Sequence, residues 1–564
     1  MKQRISRQLT ITIILFTLCW GGYNAWAAVP VEQEASAISG TVYYVAPTGN
    51  NSNPGTESQP WRTIQKAANT LVAGDTVYIK AGTYRENVVT QNSGSAGNYI
   101  MYSANPGDTV TIDGTGITLP ETTGLFDIAN KNYIRVFGLR VMNAGPNRNN
   151  KGILIKRSSH IVIESNYIYN TGSAGIRVWQ SDDITISNNE VEQACQNDSE
   201  EAISVEGTDV FQIRYNHVHH SEKEGIDAKN GSSNGKIFGN YVHHTDKVGI
   251  YVDAWETHTY NLEIFGNIAH SISASGFAAA SEQGGLLENV KIYNNIAYNN
   301  EGVGLHLFKT NHLIRNIQIV NNTFYDNGLG WGGGIFINNS RVDDILIRNN
   351  ILSQNLTFQI AAAEGVSMDN LTIDHNLIDG YRGADGEIYG SDYVQGDPLF
   401  VNPAGLDFHL QHGSPAIDQG SPIDAPATDF DGSPRPSMTG GYDIGAFEHP
   451  YGFNMAADLP AQAIQAGESA VYTLQVSAVG EFDTPVALAH SPAPSGLLLS
   501  LEPATVAPGN AATLMLSDLH TGTLLPGLAH TISITGVGDG LVVNETVHLI
   551  VGGVRFYLPI IIGE

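Results

Sequence analysis

The chain has 564 residues, enough for two to four domains with real cores, and only 15% of them are charged. Acidic residues outnumber basic ones 56 to 28, which disfavours nucleic acid and anionic membranes and favours calcium or a neutral or cationic partner. Glycine, at 61 residues, suits turn-dense strands better than helices.

The N-terminus reads as an export signal over residues 1–27. Lys2, Arg4 and Arg7 are followed by a mostly apolar stretch at 9–20, and Ala25 and Ala27 form a small-residue cleavage site. That stretch is too short to span a bilayer, which needs about 20 residues. A secreted protein is therefore expected, and a more acidic one once the three basic residues leave. After cleavage only Cys195 remains, so no disulfide can form within the chain.

Residues 63–71, TIQKAANTL, form a short amphipathic helix just before the first strands and are expected to cap them. A repeat follows, apolar-x-apolar-x-x-Asn-x-apolar. It reads IVIESNYI at Asn166, ITISNNEV at Asn189 and FQIRYNHV at Asn216, then recurs at Asn240, Asn267, Asn295, Asn322, Asn350 and Asn376. The eight steps average about 26 residues. Leucine-rich repeats share nearly this period, but they need leucine-dominated strands and a helical half. Here each unit alternates with period two, favours Ile and Val, and has no helical stretch. A stack of three-stranded coils is predicted, each strand paired with its copy about 4.8 Å away and the asparagines stacked at one turn. Asparagine also tolerates left-handed backbone better than most residues.

A second strand in each unit carries G-apolar-x-apolar: GILI from Gly152, GIRV from Gly175, GIDA from Gly225, GIYV from Gly249 and GLHL from Gly304. Ile176, Val178, Ile226, Ala228, Ile250 and Val252 face the core and their neighbours face outward. Past residue 380 the repeat fades into a Gly/Pro/Asp-rich stretch expected to wrap the far end. From about residue 454, short alternating strands over roughly 100 residues predict a small β-sandwich. The domains are thus 28–450 and 451–564, the latter ending in an apolar tail too short to anchor in a membrane.

The segment YYVAPTGNNSNPGTESQPWRTIQKAANTLVAGDTVYIKAGTYRE, residues 43–86, resembles the N-terminal portion of right-handed parallel β-helix proteins of the pectin-lyase-like superfamily, and the likeness extends through GGYDIGAFE near residue 448. It implies right-handed coiling. Family 9 polysaccharide lyases, chondroitinase-B-like lyases and some β-helical glycosidases are nearest in style. Residues 454–550 look like an accessory immunoglobulin-like domain. The expected fold is all-β, a right-handed parallel β-helix followed by a small β-sandwich.

Coil stacking turns the outward positions of the G-apolar-x-apolar strand into two exposed columns. One runs Leu154, Arg177, Ser204, Asp227, Tyr251, Ala278, His306, Phe336; the other runs Lys156, Trp179, Glu206, Lys229, Asp253, Ala280, Phe308, Asn338. Glu201, Glu224 and Glu282 flank them. Mixed titratable groups beside aromatics suit saccharide chemistry, so Lys229, Asp227, Asp253, Tyr251 and His306 are candidate catalytic groups. Arg177, Trp179, Trp255 and Phe308 are candidate substrate contacts.

Two mechanisms fit these residues. In β-elimination of a uronate-containing glycan, Glu201, Glu206, Asp227 and Asp253 would hold Ca²⁺, and Lys229 would be the base once its pKa is lowered. An ion-pair ladder with Glu206 and Asp253 is the other role open to Lys229. In glycoside hydrolysis, paired carboxylates act, and their separations allow either retention or inversion. A non-catalytic glycan-binding or cell-surface protein is the third reading. A monomer is expected. His219, His243 and His270 recur at one offset after the ladder asparagine. A straight column does not converge as tetrahedral zinc requires, so stacking with Tyr169, Tyr298 and Tyr325 is expected. Asp429 and Asp431 read as turn residues, with weak calcium binding open to them.

Overall fold

In the computed structural model, the described residues are 40–145, 149–197, 199–308, 312–437, 440–520 and 529–552. The export signal and the apolar tail lie outside them. Two parallel sheets of 13 strands and one of 11 run the length of the coil stack, and every strand in them pairs with its counterpart in the next coil. One coil shows the plan. Ile176–Trp179 lies in the 11-stranded sheet, Asp182–Ser187 in one 13-stranded sheet, and Glu190–Glu192 in the other. Their inward residues Ile176, Val178, Ile184, Ile186 and Val191 are buried and join one continuous core. The parallel β-helix of the sequence expectation is thus present. Among the described residues no helix is long and apolar enough to cross a membrane.

The asparagine ladder forms at the turn after the Asp182–Ser187 strand and its equivalents. Asn166 Nδ2 donates to Asn189 Oδ1 at 3.0 Å, and the same bond repeats through Asn216, Asn240, Asn267, Asn295, Asn322 and Asn350 to Asn376. Each rung's backbone N–H donates to the next Oδ1 as well, as Asn240 N does to Asn267 at 3.0 Å. One point differs from expectation. The left-handed residue is the one before each ladder asparagine: Ser165, Asn188, Tyr215, Gly239, Gly266, Asn294, Asn321, Asn349 and His375 all have positive φ. The ladder position is occupied by asparagine for its amide, which both donates and accepts.

The N-terminal helix is shorter than 63–71, spanning Ile64–Ala68. Thr63 caps it by accepting from Lys66 N at 3.1 Å, while the Glu86 carboxylate takes the free N–H groups of Ile64 and Gln65 at 2.8 and 2.9 Å. Ile64, Ala67, Ala68 and Leu71 are buried in the core of the stack. The segment past residue 396 packs along a flank rather than only over the far end. Phe400, Phe408 and Phe447 cover Ile268, Ile296, Tyr298 and Ile351 on the outer face of the short-stranded sheet. The side chains of Asn294, Asn321 and Asn349 donate to carbonyls of Thr428, Asp443 and Ser421 at 2.7–2.9 Å. The outward residues of these later coils are apolar, and burying them outweighs staying at the end. Asp429 is a turn residue here, accepting from Asp431 N and Ser433 N at 3.0 and 2.7 Å.

Residues 451–552 form a four-stranded and a five-stranded sheet. Tyr472 and Leu514 of one share a core with Ile532 and Val547 of the other, consistent with a sandwich.

Replacing Asn267 by Ala orphans the fully buried Asn240 N–H and deletes the bonds that the Asn267 amide itself gives to Asn295 Oδ1 and the Ile237 carbonyl. The expected loss is about 2–4 kcal/mol of stability, read as a lower urea midpoint.

Candidate active site

The strands of the 11-stranded sheet place the candidate side chains, and their register is the one the repeat implies. Leu154 pairs with Arg177, Arg177 with Ser204, Ser204 with Asp227, Asp227 with Tyr251, Tyr251 with Ala278, and Ala278 with His306. In the second column Trp179 pairs with Glu206, Glu206 with Lys229, and Asp253 with Ala280.

The columns are not exposed as expected. Asp227 is 1% accessible, Asp253 3%, His306 3%, and Arg177 and Tyr251 7% each. Rungs this close leave little room for water between side chains, and the turns on either side rise as walls. Glu201 and Glu224 stand on one side; Trp255 and Glu282 stand on the other. Between them lies a groove of about 530 Å³ floored by Asp227, Lys229, Tyr251 and Asp253.

Lys229 sits in the middle of this charge. Its Nζ is 2.5 Å from Glu201 Oε1 and 3.5 Å from Asp227 Oδ2. The column partners Glu206 and Asp253 are not its ion pairs, so the ladder expected along one column is replaced by contacts across the strand face. Burial pulls the Lys229 pKa down, but the charges of Glu201 and Asp227 outweigh it and hold the ammonium above its usual value. The expected lowering is therefore absent while both carboxylates face the lysine. Glu201 is kept ionised against its own burial by Lys229, Arg177 and a hydrogen bond from Ser204 Oγ at 2.6 Å.

Two carboxylates go the other way. Burial drives Asp227 well above the carboxylate range, and Asp253, Glu201 and Glu224 add to it against the pull of Lys229. Asp253 rises to about 7, through burial and then the charges of Glu282, Glu201 and Glu206, with Lys229 opposing. Asp227 Oδ1 and Asp253 Oδ1 are buried without a hydrogen-bond partner. Tyr251 donates to Glu282, and burial beside Asp253 and Glu282 keeps its hydroxyl protonated.

The remaining candidates divide around the groove. Arg177 is not free to grip a substrate: it is buried against Glu206, Ser204 and Glu200, the last at 3.5 Å. Trp179 carries Lys156 and Arg157 over its ring at 4.6 and 4.9 Å. Trp255, 41% accessible, is open at the rim. His306 is three rungs from Asp227, outside the groove, among Phe308, Trp331 and Phe336 at 4.1–5.8 Å. Burial lowers its pKa to about 4, so it is neutral. Phe308 also packs edge-on against Tyr251 at 5.9 Å, joining the two regions.

Two residues escaped the sequence reading. Glu200 pairs with both Arg177 and Lys151, at 3.5 and 3.4 Å. Asn230 donates to Glu206 Oε1 at 3.0 Å and accepts from Glu256 N, Thr257 N and Thr257 Oγ1 at 2.7–3.2 Å, which fastens the loop bearing Trp255. The backbone, not the sequence, singles out Asn230. The residue after the second column is left-handed in successive coils, at Arg157, Gln180, Gly207 and Asn230.

The groove suits a hard cation in donor chemistry, because all its anionic ligands are oxygens and two are orphaned. Asp227 and Asp253 offer those oxygens, and Glu201 would join them only on leaving Lys229 and Ser204. Glu206 does not join them, being committed to Arg177 and Asn230. Lys229 is the counter-charge that the carboxylates face. Accordingly, the groups of three acidic or histidine ligands lying mutually within 4.8 Å among the described residues fall elsewhere.

Comparison with known proteins places these residues in context. Residues 43–332 match the family model described as Pel9A-like, right handed beta helix region. The uncharacterized protein YwoF of Bacillus subtilis (strain 168) is 28% identical over 437 residues, 67% of this chain and 92% of that one. Pectate lyase PEL9 of Emericella nidulans is 31% identical over 124 residues, 20% of this chain and 30% of that one. The crystal structure of pectate lyase Pel9A aligns with a TM-score of 0.47 at 18% identity, covering 73% of this chain and 98% of that one.

With its pKa raised from 3.8 to about 7, Asp253 favours the folded state when protonated. That stability is full below the unfolded value and is lost as pH rises from about 4 to about 7. In metal-free buffer, Asp253→Asn is expected to raise the urea midpoint at pH 8 and leave it nearly unchanged at pH 4.

Proposed function

The chain belongs to the Pel9A-like, right-handed β-helix family of polysaccharide-active proteins, and we propose that it is a secreted, calcium-assisted lyase cleaving uronate-containing glycans by β-elimination. One observation carries this reading: a half-buried lysine at the floor of a groove, set between Glu201 and Asp227, beside two carboxylate oxygens that have no partner. The name of the Emericella nidulans relative, a pectate lyase, supports a polyuronate substrate. Export follows from the signal at residues 1–27.

An acidic groove repels a polyuronate unless positive charge is added. Glu201, Asp227 and Asp253 would hold Ca²⁺ there. Bound there, the ion would supply positive charge against the substrate carboxylate, and Glu201 and Asp227, as its ligands, would no longer hold the proton on Lys229. Lys229, once its ammonium proton has passed to solvent, would take the proton alpha to the carboxylate on its neutral Nζ. The electron pair left on carbon forms the new double bond, and the bond to the leaving sugar oxygen breaks with its pair. Trp255 at the rim offers an apolar face for a sugar ring, and the Tyr251 hydroxyl, whose proton goes to Glu282, can accept from a substrate hydroxyl.

A second reading is favoured by Asp253. A carboxyl with a pKa of about 7 is a general acid at neutral pH, and Glu201 beside it stays ionised. That pairing suits a glycoside hydrolase.

A panel of uronate polysaccharides, assayed with and without a calcium chelator, separates these readings. The lyase yields an unsaturated uronate that absorbs in the ultraviolet, and chelation abolishes it. Lys229→Ala is expected to lower that rate at least about 100-fold. Full activity in Lys229→Ala overturns the base assignment. New reducing ends without the absorbance establish the hydrolase, and binding without turnover rejects both enzymes.

A further inference from the structure

The outer face of the short-stranded sheet carries histidines that the groove does not use. His217–His219 is a three-residue strand with both rings on its outward side, and it pairs in register with Tyr241–His243, placing His219 opposite His243. Stacking is part of the arrangement. His219, His243, His270 and Tyr298 lie face to face at 4.6–5.1 Å, while Tyr169 is cut off from them by Glu192.

Stacking does not account for His217. It meets His243 edge to edge, Nε2 to Nε2 at 2.8 Å, with the rings inclined by 42°. Two imidazole nitrogens at that distance need a proton or a cation between them. A column serving only to stack has no need of nitrogen, as Phe238, Phe265 and Tyr293 on the neighbouring sheet show, at 4.9 Å spacing. A single column of histidines cannot converge on one ion, but His217 and His219 lie two residues apart on one strand and His243 lies on the next. Their three ligand nitrogens fall within 4.8 Å of one another.

We propose that His217, His219 and His243 form a binding site for a borderline divalent transition-metal ion, zinc in the first instance. Neutral imidazoles suit such ions, and the absence of thiolate and the small oxygen share argue against soft or hard ones. Two nitrogens on one tetrahedral zinc stand about 3.3 Å apart, given Zn–N bonds of about 2.0–2.1 Å, so His217 and His243 need only part slightly. Glu190 Oε1 lies 3.3 Å from His219 Nε2 and His220 Nδ1 lies 2.8 Å from His219 Nδ1, so the ring is held from both nitrogens and one of these contacts gives way to the ion. His217 and His243 are only half-buried, which leaves the ion a path from solvent. A bound ion bolts two successive coils together on a face that the segment past residue 396 leaves uncovered.

The test is calorimetric titration of Zn²⁺ into the metal-free full chain, with the unfolding temperature measured alongside. One equivalent of zinc is expected to bind and to raise the unfolding temperature. His219→Phe keeps a ring in the stack but removes both nitrogens, and His217→Ala leaves the stack untouched. Each is expected to weaken zinc binding at least about tenfold and to abolish the temperature rise. Asp253→Asn, in the groove, is expected to bind zinc as the wild type does. The proposal fails if the wild type takes up no zinc, if both histidine variants bind it as tightly as the wild type, or if Asp253→Asn is the variant that loses it.

Discussion

The amide-to-amide bond between successive ladder asparagines is the constraint on which the rest depends. A strand can slip by one residue and keep its backbone hydrogen bonds, yet such a slip turns its core side chains outward. The ladder forbids the slip, because each Oδ1 takes two donors from the rung below and each Nδ2 also reaches a carbonyl of that rung. Both groups are fully buried, so a misplaced rung would leave them unpaired in a dry interior. Register on this sheet carries to the next, since only two residues separate the strands at the asparagine corner, as between Ser187 and Glu190 or Phe238 and Tyr241. The outward columns are a consequence, and the groove is built from those columns.

That rigidity is what tolerates the charge at the groove. Asp227, Asp253 and Glu201 are buried beside the half-buried Lys229, and two of the carboxylates sit well above their ordinary pKa. Such an arrangement opposes folding, because desolvated like charges repel and only one lysine answers them. The strands below it are locked by the core and the ladder, so the repulsion cannot relax by moving the backbone. It is stored as unsatisfied oxygen instead, ready for a cation or a proton.

Much of this was legible in the sequence because it follows from periodicity. A repeat averaging about 26 residues gave the sheets, the ladder and the pairing partners of Arg177, Asp227 and His306. What stayed hidden depends on side chains reaching across columns or out of turns. Lys229 turns toward Glu201, which lies in the turn before the preceding coil's strand, so no reading along a column could pair them. Burial was hidden for the same reason, as the turns that wall the groove vary in length and carry no repeat. Glu200 and Asn230 lie in such turns. The flank packing of residues 400–449 was illegible because its cause, the apolar outward residues Ile268, Ile296 and Ile351, reads locally like any other strand pattern.

The same outward columns explain why chemistry and covering separate along one stack. On the short-stranded sheet the first outward position runs Arg140, Tyr167, Glu190, His217, Tyr241, then Ile268 and Ile296. The polar half meets solvent and the apolar half draws the chain back over itself. The change falls between Tyr241 and Ile268, one rung beyond His243. On the 11-stranded sheet the outward positions from Arg177 to His306 are charged, aromatic or small, with Ser204, Ala278 and Ala280 the small ones, so no strip of large aliphatic residues invites the chain to fold over the groove. Each face of the coil stack is therefore addressed by its own outward residues, while the inward ones keep all three sheets in one register.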